Sequence, residues 1–225
     1  MFIKCKLAAS TAIACCVLAA PAFAAPQTGG SAGTAAQRLV NSSANTIQQL
    51  SSNKNFTKML RQAKGVFIVP TFAKGAVIVG GSGGTGVLVA HTKTKWSDPA
   101  FFTIGSISVG AQAGGKAGPL VMFLMTDKAV SSFTQSNNFS LNGNANLTVA
   151  NWSPNGQGSI GKGDVVVWSG TSGLFAGLNV SGSDVVADTK EDQAYYKDKQ
   201  VGTKQIVDQD VTSAQAGKLL AALPG

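Results

Sequence analysis

Gly81-Ser82-Gly83-Gly84-Thr85-Gly86 spells G-x-G-x-x-G. In a dinucleotide site that turn opens a helix, so that the pyrophosphate meets the helix N-terminus. Here it leads into Val87-Leu88-Val89, a strand pattern, and only Asp98 stands near the place of the ribose-binding acid. The motif therefore reads as a hairpin turn. Gly110 to Lys116 (GAQAGGK) approaches a P-loop, but Ala117 replaces the hydroxyl that would meet Mg²⁺, and Gly118-Pro119 prevents a helix from starting. His91 is the sole histidine, which leaves no His pair for a metal. It follows a strand pattern and precedes Lys93 and Lys95, so it reads as a rim residue. Of the ten acids, nine lie at or after Asp127 and only Glu191 is a glutamate; nothing in their spacing favours a paired-carboxylate hydrolase. No cofactor and no metal are expected, and the chain reads as non-catalytic.

The remaining chemistry is that of cations beside apolar side chains. In the segment Asn53 to Lys64, a helical wheel puts Phe56, Met59, Leu60 and Ala63 on one face. Lys54, Lys58 and Arg61 lie opposite, with Lys64 on the flank. Two roles are open for the apolar face. It enters the head-group boundary of a membrane while the bases meet phosphates, or it covers the domain's own core and leaves a solvated basic face. Lys93, Lys95 and Trp96 form a second candidate, because an amphipathic Trp beside lysines suits a membrane interface. There the other role is an inward-packed Trp96 in a turn. The candidate lipid-binding set is thus Phe56, Lys58, Leu60, Arg61, Lys64, Lys93, Lys95 and Trp96.

The formal net charge is +8, two of those charges being Lys4 and Lys6 near the N-terminus. A surplus of this sign favours anionic partners, with phospholipid head groups foremost in an envelope compartment. Nucleic acid is not expected, because the bases are spread along the chain without a recognised nucleic-acid module. Lys4 and Lys6, the apolar run Leu7 to Ala20, and Ala22-Phe23-Ala24 have the order of a secretory signal cleaved before Ala25. The run is shorter than a membrane span requires. All three cysteines, Cys5, Cys15 and Cys16, fall inside the signal, so disulfides and thiolate chemistry are not expected of the mature part. A second processing route is open, in which Ala12-Ile13-Ala14-Cys15 acts as a lipobox and Cys15 is lipidated. Both routes place the protein in the periplasm or cell envelope.

The elements that must position these residues follow from periodicity. Residues 1–24 are the signal, 25–33 a flexible leader, and 34–225 one domain. Helices are expected at Thr34–Leu50 and at Asn53–Lys64, with Asn53 as N-cap and Gly65 as the stop. Short strands follow: Val66–Val69 ending at Pro70, Ala76–Val79, Val87–Ala90, Thr103–Ala111, Leu120–Met125, Ser140–Ala150, Asp164–Ser169, Leu174–Val180 and a weaker Val185-Val186. Helices recur at Asp127–Gln135, Lys190–Lys199 and Ser213–Leu223, with Thr212 as a candidate cap for the last. The expected class is α+β: a Gly-rich, mainly antiparallel sheet, barrel or sandwich-like, flanked by N- and C-terminal helices.

Lys64-Gly65 running into a strand, Gly75, the Gly80 to Gly86 stretch, Trp96-Ser97-x-Pro99 and Gly110-x-Gln112-x-Gly114 occur in the order and spacing of the SYLF domain family. Leu120 to Thr126, Ala129-Val130-x-x-Phe133 and Tyr195-Tyr196 also resemble it, so the likeness runs from about Thr34 to Leu223. The chain departs from the pattern at His91, where an Arg is common, and at Gly118-Pro119, where an acid often precedes the strand. The resemblance implies a binding domain for phospholipids without catalysis. Eukaryotic members are associated with phosphoinositides, and some also with actin. The other reading is a structural or protein-interaction module of the envelope with no lipid ligand.

Overall fold

A computed structural model of the protein describes residues 32–76, 79–92, 95–109, 114–135, 137–141, 149–152, 163–169 and 183–225. The expected signal, most of the expected leader, the strand expected at Leu174–Val180 and most of that expected at Ser140–Ala150 lie outside the described residues. In chain order the elements are α1 (Ala32–Leu50), α2 (Lys54–Gln62), β1 (Gly65–Ala76), β2 (Val79–Ala90), β3 (Ala100–Val109), β4 (Gly114–Leu124), α3 (Asp127–Gln135), β5 (Asn138–Ser140), β6 (Val149–Trp152), β7 (Val165–Ser169), β8 (Asp184–Ala187), α4 (Thr189–Tyr196), α5 (Thr203–Val207) and α6 (Gly217–Ala222). The class is α+β, with a mainly antiparallel sheet and helices from both ends of the chain.

All eight strands join one sheet in the order β5-β8-β3-β2-β1-β4-β7-β6. Every pairing is antiparallel except β6 with β7. No pairing joins β5 to β6 among the described residues. Helices, rather than a second sheet, cover its two faces. Strict alternation decides which residues meet which layer. Phe67, Val69, Leu88, Phe102, Leu120 and Met122 pack with Phe133 of α3 and Ile206 of α5. Val66, Ile68, Val87, Phe101, Val121 and Phe123 pack with Ile47 of α1, Phe56 of α2 and Leu219 of α6. Central strands sandwiched this way lose the polar face of a one-sided sheet and become continuous apolar runs.

Pro70 does not end its strand. β1 continues to Ala76, and the proline sits in an irregularity of the ladder. Val69 pairs with Leu120 and Phe72 with Gly118, so Pro70 and Thr71 together face Pro119 alone. This is a β-bulge, and it accommodates two residues that have no N–H to give the ladder. Of the expected strand Ala76–Val79, Ala76 ends β1 and Val79 begins β2, and residues 77–78 lie outside the described residues.

The glycine stretch expected to form a hairpin turn lies within β2, and the bulge explains why glycine is needed there. A Cβ on Gly84 would come within 2.6 Å of the Thr71 carbonyl oxygen, and one on Gly86 within 2.4 Å of that of Ile68. The bent backbone of β1 occupies the space a side chain would take. α5 has no counterpart in the periodicity reading because a five-residue helix gives no usable repeat. The last helical stretch begins as a 3-10 turn, Ala214–Ala216, capped by Ser213 rather than Thr212.

Candidate functional site

The Asn53 side chain accepts hydrogen bonds from the backbone N–H groups of Asn55 and Phe56, at 3.0 and 3.1 Å, and so starts α2. Its apolar face is core. Phe56, Met59 and Leu60 are 0, 0 and 1% exposed. The Phe56 ring meets Phe123 and Trp168 edge-on, with centroids 5.2 and 5.4 Å apart. This corrects the membrane-inserting role considered for Phe56 and Leu60. Moving such side chains into a bilayer would forfeit roughly 1.5–3 kcal/mol each of burial already gained in the fold, so insertion gives no net driving force.

The opposite face carries the cations. Lys54, Lys58, Arg61 and Lys64 are exposed. The ion pairs seen among the described residues join Lys128 to Asp164 and Lys204 to Asp208, so none involves these four. The sequence contains no acid before Asp98, which leaves α2 without a carboxylate neighbour along the chain. The helix is held firmly at its end. The Lys64 backbone N–H donates to Leu124 and its carbonyl accepts from His91, both at 2.7 Å. Cations at positions 54, 58 and 61 lie on one face by helical spacing.

The second candidate cluster is not assembled as expected. Lys95 is exposed, and Lys93 lies outside the described residues. Trp96 is only 8% exposed, and its indole N–H donates to the Pro224 carbonyl at 2.7 Å. His91, an exposed rim residue, lies edge-on to it at 4.9 Å. Ser97 is fully buried, and its hydroxyl accepts from the Ala90 N–H at 3.0 Å. Asp98 accepts from the Ser213 N–H at 3.0 Å, and Pro99 accepts from the Tyr196 hydroxyl at 2.9 Å. Burial raises the Asp98 pKa, while the Ser213 hydrogen bond and Lys95 pull it back. The W-S-x-P tetrapeptide therefore clamps the C-terminal segment to the β2–β3 connection. It is an architectural device rather than a membrane anchor.

One ionisable group escaped the sequence reading. Asp192 of α4 is fully buried. One carboxylate oxygen accepts from the Phe101 N–H at 2.9 Å, and the other has no hydrogen-bond partner. Burial, with Asp188 and Glu191 adding to it against the Phe101 hydrogen bond, raises its pKa to about 7. It faces the core rather than a cleft, and no local sequence signal distinguishes it from the half-buried acids around it, Asp188 and Glu191. Among the described residues no group of His, Cys, Asp or Glu is arranged to hold a metal ion. No described helix is long and apolar enough to cross a membrane. The G-x-G-x-x-G residues lie inside β2 and open no helix.

Residues 105–224 match the family model described as Ysc84, Las17-binding protein actin regulator. LAS seventeen-binding protein 3 of Saccharomyces cerevisiae is 29% identical over 146 residues, covering 62% of this chain and 32% of that protein. The human SH3 domain-containing YSC84-like protein 1 is 29% identical over 142 residues, or 61% of this chain and 41% of the relative. Yeast Protein YSC84 is 28% identical over 146 residues, covering 62% and 31% respectively. The matched stretch of this chain thus corresponds to between 31 and 41% of the length of these relatives.

Proposed function

This chain belongs to the Ysc84 family, the SYLF domains, and from that premise we propose that it is a non-catalytic envelope protein that binds anionic phospholipid surfaces reversibly. The observation that carries the reading is the outer face of α2, where four exposed cations stand outside every ion pair among the described residues. The contact is electrostatic and peripheral. Each base near an anionic surface contributes about 1 kcal/mol, so four give about 4 kcal/mol, which corresponds to roughly millimolar binding for a single contact. Such binding weakens with salt, because exposed charges are screened within about 10 Å at 0.1 M. The envelope location rests on the signal-like N-terminus, with cleavage before Ala25 or lipidation at Cys15 as the two routes to the mature form. A lipid on Cys15 would keep α2 near the bilayer and multiply its weak affinity.

The test is co-sedimentation with vesicles of phosphatidylglycerol or of phosphatidylcholine at two salt concentrations. Binding is expected to the anionic vesicles alone and to fall at high salt. The Lys58→Glu/Arg61→Glu variant should lose most of it with an unchanged melting temperature, since both side chains are exposed. Equal binding by variant and parent would remove α2 from the account.

A second reading has its own support. Las17 binding stands in the name of one yeast relative, LAS seventeen-binding protein 3, and in the description of the family model that matches this chain. A protein partner seated on the same basic face would be acidic. Retention of an acidic protein with no vesicle binding at either salt concentration would favour this reading.

A further inference from the structure

β8 leaves the sheet at Ala187, which pairs with Phe102. Phe101, one residue earlier on β3, has no strand beside it on that side, and α4 takes the place of one. The Phe101 carbonyl accepts from the Asp188 N–H at 2.8 Å, and its N–H donates to the Asp192 carboxylate at 2.9 Å. The Asp188 side chain caps α4 by accepting from the Glu191 N–H at 3.1 Å. The Phe101 ring meets Tyr195 edge-on at 5.1 Å, and α4 also packs against α1. One fully buried carboxyl group thus completes the sheet edge and holds a helix to it.

We propose that α4 is an acid-closed latch, held on β3 and α1 while Asp192 is neutral and released as a unit when Asp192 ionises. The surroundings give the charged form little support. On α4 stand Asp188 and Glu191, which repel a charge at Asp192, and Tyr196. On α1, the Ala36 N–H and Arg38 act on Glu191 instead. In the β2–β3 connection the neighbouring ionisable group is Asp98, which draws on the Ser213 N–H and Lys95. No ion pair among the described residues includes Asp192. On β3 the Phe101 N–H favours the charge, while the second carboxylate oxygen has no partner. A neutral carboxyl group is tolerated in such a site, and a carboxylate costs far more. Burial, reinforced by the two neighbouring acids, defers ionisation to about 7. An opened α4 gives the group to water, where it ionises near 3.8. Between these values the closed form holds a proton that the open form has lost. Opening therefore grows easier as pH rises and levels off above the upper value. Each pH unit changes the opening equilibrium by up to about tenfold. The latch opens alone because β3 stays paired with β2 over its whole length. Open, it uncovers the Phe101 ring, N–H and carbonyl, a stretch of unpaired sheet edge.

Native-state amide exchange of the full chain at about pH 5 and about pH 7, corrected for the intrinsic pH dependence, reads the latch. Protection of the amides of residues 192–196 should fall roughly hundredfold between the two. At each pH these amides should also exchange faster than those of residues 66–69 and 121–124 in β1 and β4, the mark of a local opening. Asp192→Asn keeps an acceptor for Phe101 and cannot ionise, so its α4 protection should be the same at both values. Should that variant not fold, the parent decides: the Phe101 amide proton, which donates to Asp192, should titrate with the same midpoint as the carboxyl carbon of Asp192, near about 7. No lipid enters these measurements, so their outcome is independent of the role of α2. Protection in α4 that is constant with pH, or equal to that of the central strands, overturns the proposal. So does a fall that persists in folded Asp192→Asn, or a Phe101 amide that does not titrate.

Discussion

Asp192 carries the clearest consequence for a single side chain. In the unfolded chain it ionises near its ordinary value of 3.8, and in the fold only near about 7. Between those values the unfolded chain has lost the proton and the folded chain has kept it. Stability conferred by the protonated form is therefore greatest at acid pH, declines as pH rises through this window, and levels off above it. Each unit of difference corresponds to about 1.4 kcal/mol, so the full window is worth a few kcal/mol. Asp192→Asn, which cannot ionise, is expected to flatten the dependence of melting temperature between about pH 4 and 7, measured by thermal denaturation across that range. A melting profile of the variant parallel to that of the parent would show that Asp192 does not titrate there. Asp192 and Trp96 teach the same lesson at this scale. Charge and amphipathicity suggest surface roles, but burial depends on partners more than 90 residues away, Phe101 for one and Pro224 for the other.

At the scale of elements, helices were read most directly. Asn53 was legible as a cap because its side chain can reach only the first turn of its own helix, and α3 runs from Asp127 to Gln135 as its periodicity indicates. The strands were legible in kind and misplaced in extent. Pro70 and the glycines of β2 carry the usual marks of strand ends, yet here they serve a bulge in the middle of a ladder. A local window cannot see that β1 has neighbours on both sides that bend with it. Substitutions separate the glycines by what faces them. Gly84→Ala or Gly86→Ala should cost roughly 3 kcal/mol or more, because backbone oxygens rather than flexible side chains block the new methyl group. Gly81→Ala meets nothing within 4 Å and should stay within about 0.5 kcal/mol. Denaturant midpoints of the three variants check the ranking, and equal losses at all three would refute the bulge as the cause. For the candidate site, the basic half of α2 was legible from spacing, whereas the choice between core and membrane for its other half needed Phe123 and Trp168 in place.

For the molecule as a whole, the C-terminal segment is a structural member. α6 and its C-cap residue deliver Leu219 and Leu223 into the layer beneath α1, and Pro224 receives the Trp96 indole N–H. Deleting residues 217–225 should lower stability by roughly 3–6 kcal/mol from the two leucines alone. It should also speed amide exchange in α1, which packs against α6. Unaltered exchange in α1 would mean the C-terminal helix is only an appendage. The extra residue in β1 reaches further than its own surroundings. Beyond Pro70 and Thr71 the strand is out of phase with its first half, and that offset puts Phe72 in the same layer as Phe67 and Val69. A relative one residue shorter at this point could keep the same composition and the same proximal core while turning its counterpart of Phe72 to the reverse side. Packing beneath α3 and α5 among such relatives should therefore track how many residues cross the bend, before it tracks which residues they are.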